Sequence, residues 1–267
     1  MYKRFFAFGC SFTLYKWPTW ADYLYAGGVA HKYENWALPG GSNDFIFHSL
    51  MECDAPNKIT RDDLVAIMWS QPFRLSDYWH NRGWDMPGNV YLFQPKDRIA
   101  RYWSDDQNTL ENLSYMWSAK RLLDLIGCDY NFFSMVKFRL RDDYSAKFSH
   151  VQNSIEISME EFLGYTDTEH SDTDWRQTLP GDFHPSPMEH ANFAKSRNIK
   201  INLDTRKIDK LQSAADDYIF NSKNPHKQEI NVFPEKFPLT RLPNISGKFN
   251  SGSGRLRDVN TVQPFNW

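Results

Sequence analysis

The chain has 267 residues, which is enough for one large α/β domain or for one domain with an appendage. Its 31 Lys and Arg and 33 Asp and Glu give a formal net charge of −2 without any basic block, which disfavours nucleic acid as the main partner. No apolar stretch reaches membrane-spanning length, and the three cysteines form neither a CxxC metal pair nor a disulfide framework.

The first 70 residues predict an alternation of strands and helices. Residues 5–8 form a short apolar run that ends at Gly9, which is typical of a buried strand. This run is too short for a signal peptide, so we expect a soluble protein made in the cytoplasm without a leader. We predict further strands at 33–37 and 64–69, and helices at 19–25 and from Ser42 or Asn43 to Met51.

The rest of the chain is less regular. Residues 74–106 are turn-rich and aromatic, and we interpret them as an insertion or lid on the core. Residues 140–181 are polar and weakly patterned, and residues 221–267 are rich in Pro, Asn, Lys and Gly, which favours an extended arm. Between these stretches we predict helices at 108–126, 187–196 and 208–220, and a strand at 130–136.

The repeated order of strand and helix predicts an α/β fold, a three-layer sandwich with a central parallel sheet flanked by helices. Ligands of such sheets bind at the carboxyl ends of the strands. The polar clusters of this sequence follow predicted strands, so we expect them to meet at that edge.

Ser11, in "FAFGCSFT", directly follows the first predicted strand. A serine hydroxyl becomes a nucleophile only when a base takes its proton, so a catalytic role requires a histidine nearby. Otherwise Ser11 is a turn residue or a helix cap. Its neighbour Cys10 would point to the opposite side, and we expect it to be a small buried residue.

The stretch "GDFHPSPMEH" places Asp182 and His184 just before a helix. A histidine held there could act as a base, with the carboxylate orienting its ring. One alternative is a surface loop with a capping aspartate. Another is a metal site formed by Asp182, His184 and His190, which the absence of a helical His pair or a Cys pair disfavours.

Two further stretches follow strands. In "NWALPGGSN", Gly40 and Gly41 would let backbone N–H groups approach an anion, or would simply allow a strand-to-helix turn. In "MWSQPFR", the Gln71 amide and the Arg74 cation reach the same sheet edge.

Taken in order, these stretches resemble the sequence blocks of the SGNH (GDSL-like) hydrolase superfamily, over roughly residues 3–197. "FGCSFT" is similar to the first block, whose serine is the nucleophile, which corresponds to Ser11. "NWALPG" is similar to the second block, with Ala37 in place of its first glycine. The oxyanion glycine of that block falls on Gly40, with Gly41 as the alternative.

"DFHPS" resembles the last block and implies that His184 is the base and Asp182 its orienting carboxylate, although one residue separates them here instead of the usual two. In "WSQP", Gln71 stands where the family has asparagine. The resemblance implies a flavodoxin-like SGNH hydrolase fold and acyl transfer without a cofactor. The N–H groups of Ser11 and Gly40 and the Gln71 amide would form the oxyanion hole.

We expect residues 1–197 to form this hydrolase domain, 198–220 a helical extension and 221–267 the arm. Aromatic faces stack on sugars, so Trp79 and Trp84 are candidate substrate contacts, together with the Arg74 cation. A carbohydrate O-acyl ester is therefore the expected substrate. The alternative is that these aromatics pack the insertion onto the core.

A second interpretation is a weakly active or inactive structural or binding module. Proteins of similar block pattern occur in tailed phages, so the resemblance extends to a virion or tail component. The arm would then contact a second copy or a virion partner. Neither interpretation involves nucleic acid or a membrane.

Overall fold

The computed structural model describes residues 1–15, 17–57, 59–79, 83–89, 104–138, 140, 142–164, 184–221, 248–251 and 255–258. Its strands are β1 (Tyr2–Phe8), β2 (Ala30–Asn35), β3 (Leu64–Trp69), β4 (Arg74–Trp79), β5 (Gly83–Asn89), β6 (Asp129–Ser134), β7 (Ile155–Ser158), β8 (Lys248–Ser251) and β9 (Arg255–Asp258). Its helices are α1 (Trp20–Ala26), α2 (Asn43–Asn57), α3 (Asp105–Ile126), α4 (Asp142–Gln152), α5 (Met159–Leu163), α6 (Pro187–Ser196) and α7 (Thr205–Asn221).

A five-stranded parallel sheet with the order β2-β1-β3-β6-β7 forms the centre of the fold, which confirms the predicted α/β class. The chain leaves β1 for β2 on one side, and β3 then pairs with the other side of β1. At such a change of direction, the loops after the two strands diverge and leave a crevice at their carboxyl ends. For this strand order, the rule places the crevice after β1 and β3.

The strands are apolar on both faces because helices cover both faces. In β1, Phe5 and Ala7 belong to one buried cluster, whereas Phe6 and Phe8 belong to the other, as the period of two requires. Residues of α1, α6 and α7 complete the first cluster, and residues of α2 and α3 complete the second. The arrangement is that of a three-layer sandwich.

The structure differs from the predicted elements in one additional strand at the edge of the central sheet and in where some helices end. The four-residue strand β7 was not predicted and lies at the sheet edge within the weakly patterned stretch 140–181. Helix α2 continues to Asn57, six residues beyond the predicted end at Met51. Helix α6 has the predicted bounds, and Gly127, with φ +77°, ends α3 as predicted.

The predicted insertion begins with an antiparallel hairpin of β4 and β5 that lies outside the central sheet. This hairpin joins β8 and β9 in a second, four-stranded sheet. Most of residues 221–267 lie outside the described residues, so the extended arm stays a prediction. Helix α7, from the predicted 198–220 extension, packs on α1 and α6. Among the described helices, none is long and apolar enough to cross a membrane.

A buried ion pair joins β1 to the residue that precedes β3. Arg4 donates from Nε and Nη2 to the two carboxylate oxygens of Asp63, at 2.9 and 2.6 Å. Thr60 adds hydrogen bonds from its backbone N–H and its hydroxyl. Burial alone would raise the pKa of the Asp63 carboxyl, but these donors outweigh it and hold that pKa below its usual range. The pair therefore fixes the amino ends of β1 and β3 to each other.

Replacing Asp63 with Asn removes the carboxylate that accepts two hydrogen bonds from Arg4, whose side chain is only 12% exposed. We expect the free energy of unfolding at pH 7 to fall by about 3 kcal/mol, measured by urea denaturation. Asp62→Asn is the matched control, because Asp62 is exposed. If Asp63→Asn were as stable as the wild type at pH 7, the Arg4–Asp63 pair would not stabilise the fold.

The same comparison has a defined pH dependence. The pKa of Asp63 is lowered by folding, so the pair stabilises the fold above the unfolded pKa of about 3.9 and loses that contribution as the pH falls through the folded pKa. The stability difference between the wild type and Asp63→Asn should therefore shrink in acid.

Candidate functional site

The chain turns sharply at the carboxyl end of β1. The carbonyl of Cys10 accepts hydrogen bonds from the N–H groups of Thr13 and Leu14, at 2.9 and 3.0 Å. This single helical turn carries Ser11, which is 4% exposed. Within the described part of the chain, the Ser11 hydroxyl makes no hydrogen bond, and its oxygen is not fully buried. Cys10 is fully buried, as predicted, and its thiol contacts the sulfur of Met135.

Gly9 is required by how closely this turn packs. A Cβ atom at Gly9 would lie 2.1 Å from the Thr13 hydroxyl oxygen and 2.8 Å from the Thr13 Cβ. It would also lie 3.1 Å from the carbonyl oxygen of Met68, in the neighbouring strand β3. A side chain at this position would therefore clash with Thr13, in the turn that carries Ser11.

Asn35 fastens the turn from the end of β2. Its side-chain nitrogen donates to the carbonyl of Thr13 at 2.7 Å, and the hydroxyl of Thr19 donates to the same carbonyl at 2.6 Å. The side-chain oxygen of Asn35 accepts from the N–H of Ala37. Asn35 is the first residue of "NWALPG", so this stretch holds the Ser11 turn as well as supplying glycines.

The glycine turn lies beside the Ser11 turn. The N–H of Leu38 donates to the carbonyl of Gly9 at 3.2 Å, which extends the pairing of the strands beyond their ends. Gly40 has φ +86°, a conformation that favours glycine. The N–H of Gly41 donates to the Leu38 carbonyl, whereas the N–H of Gly40 makes no hydrogen bond among the described residues. Gly40 is therefore the better-placed donor of the two predicted glycines.

His184 docks on the segment that follows Ser11. Its imidazole stacks on the Tyr15 ring, with centroids 3.8 Å apart and planes 19° apart, and contacts Phe12 edge-on. The indole N–H of Trp17 donates to the carbonyl of Pro185 at 2.9 Å. The structure thus brings together the Ser11 turn and His184, which are far apart in sequence. Asp182 lies outside the described residues.

Gln71 lies in the loop after β3, at the other side of the crevice. The Ser70 N–H donates to the side-chain oxygen of Asn43 at 2.7 Å, and the Asn43 side-chain nitrogen donates to the Ser70 carbonyl at 3.2 Å. Asn108 and Asn112 donate to the carbonyl of Pro72. The sequence analysis assigned no role in this loop to these three asparagines, because their partners are distant along the chain.

The predicted substrate contacts are placed in part. Arg74 begins β4, its N–H donates to the Gln71 carbonyl at 3.3 Å, and its Nη1 is buried without a partner among the described residues. Trp79 ends β4, and Trp84 is the second residue of β5. Their side chains lie outside what the structure describes, so stacking on a sugar stays a prediction.

His190, in α6, is fully buried, and among the described residues neither ring nitrogen has a partner. Burial, with a smaller effect of the His184 charge, lowers the pKa of His190 to about 3, so its ring is neutral at ordinary pH. Over the described part of the chain, no three His, Cys, Asp or Glu side chains come together as a metal would require.

No model of a known protein family matches the chain, and no curated protein matches it. Function is therefore inferred from the chemistry and placement of the residues themselves.

Gly9→Ala tests the packing of the Ser11 turn. We expect it to lower the free energy of unfolding by about 1–3 kcal/mol, because the new methyl overpacks Thr13 and Met68. Gly27→Ala is the control, since its methyl would come no closer than 3.0 Å to its neighbours, which are side-chain atoms of Ile208 and Leu203, and we expect a change below about 1 kcal/mol. A Gly9→Ala protein as stable as the wild type in urea would show that the turn is looser than described.

Proposed function

We propose that the chain is a serine ester hydrolase of the SGNH type, with Ser11 as nucleophile and His184 as general base. The observation that supports this most is the docking of His184 on Phe12 and Tyr15, within the segment that begins with Ser11. The strand order β2-β1-β3-β6-β7 is also the order of flavodoxin-like sheets, whose ligands bind at the β1/β3 crevice.

In the proposed reaction, the Ser11 oxygen attacks the carbonyl carbon of an ester while His184 accepts the hydroxyl proton. The tetrahedral intermediate then collapses, and His184 returns that proton to the departing alcohol. Water, activated by His184, attacks the acyl-serine, releases the acid and restores Ser11. We assign Asp182 the role of orienting the imidazole, by analogy with the SGNH block that "DFHPS" resembles.

The oxyanion formed in each step needs donors aimed at it. We assign this role to the N–H groups of Ser11 and Gly40 and to the Gln71 amide. Two features support the assignment: the Gly40 N–H makes no hydrogen bond among the described residues, and Gln71 follows β3 at the opposite side of the same crevice.

A carbohydrate O-acyl ester is the substrate class that we propose. The support is the position of the hairpin, since Arg74 begins β4 just after the Gln71 loop. The hairpin that carries Trp79 and Trp84 therefore starts at the edge of the crevice. Aromatic rings there could stack on the sugar while the ester reaches Ser11.

Ser11→Ala should abolish hydrolysis of p-nitrophenyl acetate and covalent labelling by a fluorophosphonate probe, because no other group is assigned as nucleophile. Ser114→Ala is the control, since the Ser114 hydroxyl is exposed on α3 and bonds only its own helix. Wild-type labelling of the Ser11→Ala protein would exclude Ser11 as nucleophile. A folded wild-type protein that is not labelled would contradict the enzyme and support the structural module.

Gln71→Ala should lower kcat for the same ester by about 10²- to 10³-fold, the usual cost of one oxyanion donor. Labelling should still occur at Ser11, because the nucleophile and base are unchanged. Unchanged kcat would mean that another group fills the third donor position.

A further inference from the structure

Three buried asparagines from two helices converge on the loop that carries Gln71, and we call Asn43, Asn108 and Asn112 the asparagine clamp. Asn43 is the first residue of α2, whereas Asn108 and Asn112 lie one turn apart on α3. All three are less than 9% exposed, so they were taken out of water to make these contacts.

Asn43 holds Ser70 as a neighbouring strand would. Its amide oxygen accepts from the Ser70 N–H at 2.7 Å, and its amide nitrogen donates to the Ser70 carbonyl at 3.2 Å. The second N–H of this amide donates to the side-chain oxygen of Asn112. Every hydrogen of the Asn43 side-chain amide is therefore used, which makes its orientation unique.

The other two asparagines hold the far side of the loop. The amide nitrogens of Asn108 and Asn112 donate to the carbonyl of Pro72, at 2.6 and 3.3 Å. Asn112 also donates to the Asn108 carbonyl at 2.7 Å, which fixes it to its own helix. Gln71 is thus flanked by two residues whose backbone groups are bonded to the clamp.

This arrangement bears on the replacement of the family's asparagine by Gln71. A glutamine side chain has one more rotatable bond than an asparagine, so its amide is harder to aim. A fully satisfied buried network is rigid, and a displacement of about 1 Å at a catalytic group can cost 10²-fold in rate. The bonds of the clamp to Ser70 and Pro72 fix the backbone on both sides of Gln71.

We infer that Asn43, supported by Asn112, is a positioning residue that aims the Gln71 amide at the oxyanion. This inference rests on the proposed esterase function. It requires that loss of the clamp lower kcat and leave KM within about twofold, since the clamp does not touch the substrate. It also requires that the clamp act through Gln71 and through no other group.

A double-mutant cycle on the full chain tests this. We expect Asn43→Ala to lower kcat for p-nitrophenyl acetate at least tenfold, and to have less than a twofold effect when Gln71 is already Ala. Asn112→Ala, which leaves both Asn43–Ser70 bonds intact, should show the same dependence on Gln71 with a smaller loss. It also serves as the second variant if Asn43→Ala does not fold.

Asn153→Ala is the control, because Asn153 is exposed after α4 and should leave kcat unchanged. If the effects of Asn43→Ala and Gln71→Ala multiply, the clamp acts on general structure and the inference is wrong, while the esterase proposal stands. If the folded wild type neither hydrolyses the ester nor labels at Ser11, the proposed function fails, and the positioning role fails with it.

Discussion

The close approach of the backbone at Gly9 is the constraint on which the rest of the site depends. The chain must turn within a few residues of the end of β1, and the Thr13 side chain occupies the space that a Cβ atom of residue 9 would need. This turn buries Ser11 at the sheet edge and directs the following residues, Tyr15 and Trp17, toward the His184 loop. The Ser11 turn and the His184 loop are thus brought together by one local conformation.

Strands β1 and β3 are joined at their amino ends, and the loops that follow them separate at their carboxyl ends. At their amino ends, the ion pair of Arg4 and Asp63 joins the strands through a buried contact. At their carboxyl ends the loops diverge, because β2 and the helices that follow lie on different sides. Polar side chains of Asn35 and Asn43 hold the two loops separately.

The elements that the sequence predicts correctly are those whose signal is local. The apolar run of β3 and the start of α6 at Pro187, where the structure has a capping box at Ser186, are both contained in a few neighbouring residues. Strand β7 is not predicted, because four residues with an alternating pattern at a sheet edge resemble a loop. The Asn43 contact with Ser70 is not predicted either, since an asparagine at the start of a helix usually indicates a cap. Such long-range hydrogen bonds leave no pattern in the sequence.

A crystal structure of the protein after reaction with a fluorophosphonate would decide whether Ser11 and His184 form one reactive unit. We predict phosphorus bonded to the Ser11 oxygen, an imidazole nitrogen of His184 about 3 Å from that oxygen, and the phosphonyl oxygen facing the N–H of Gly40. An adduct on another residue, or His184 directed away from Ser11, would contradict this prediction.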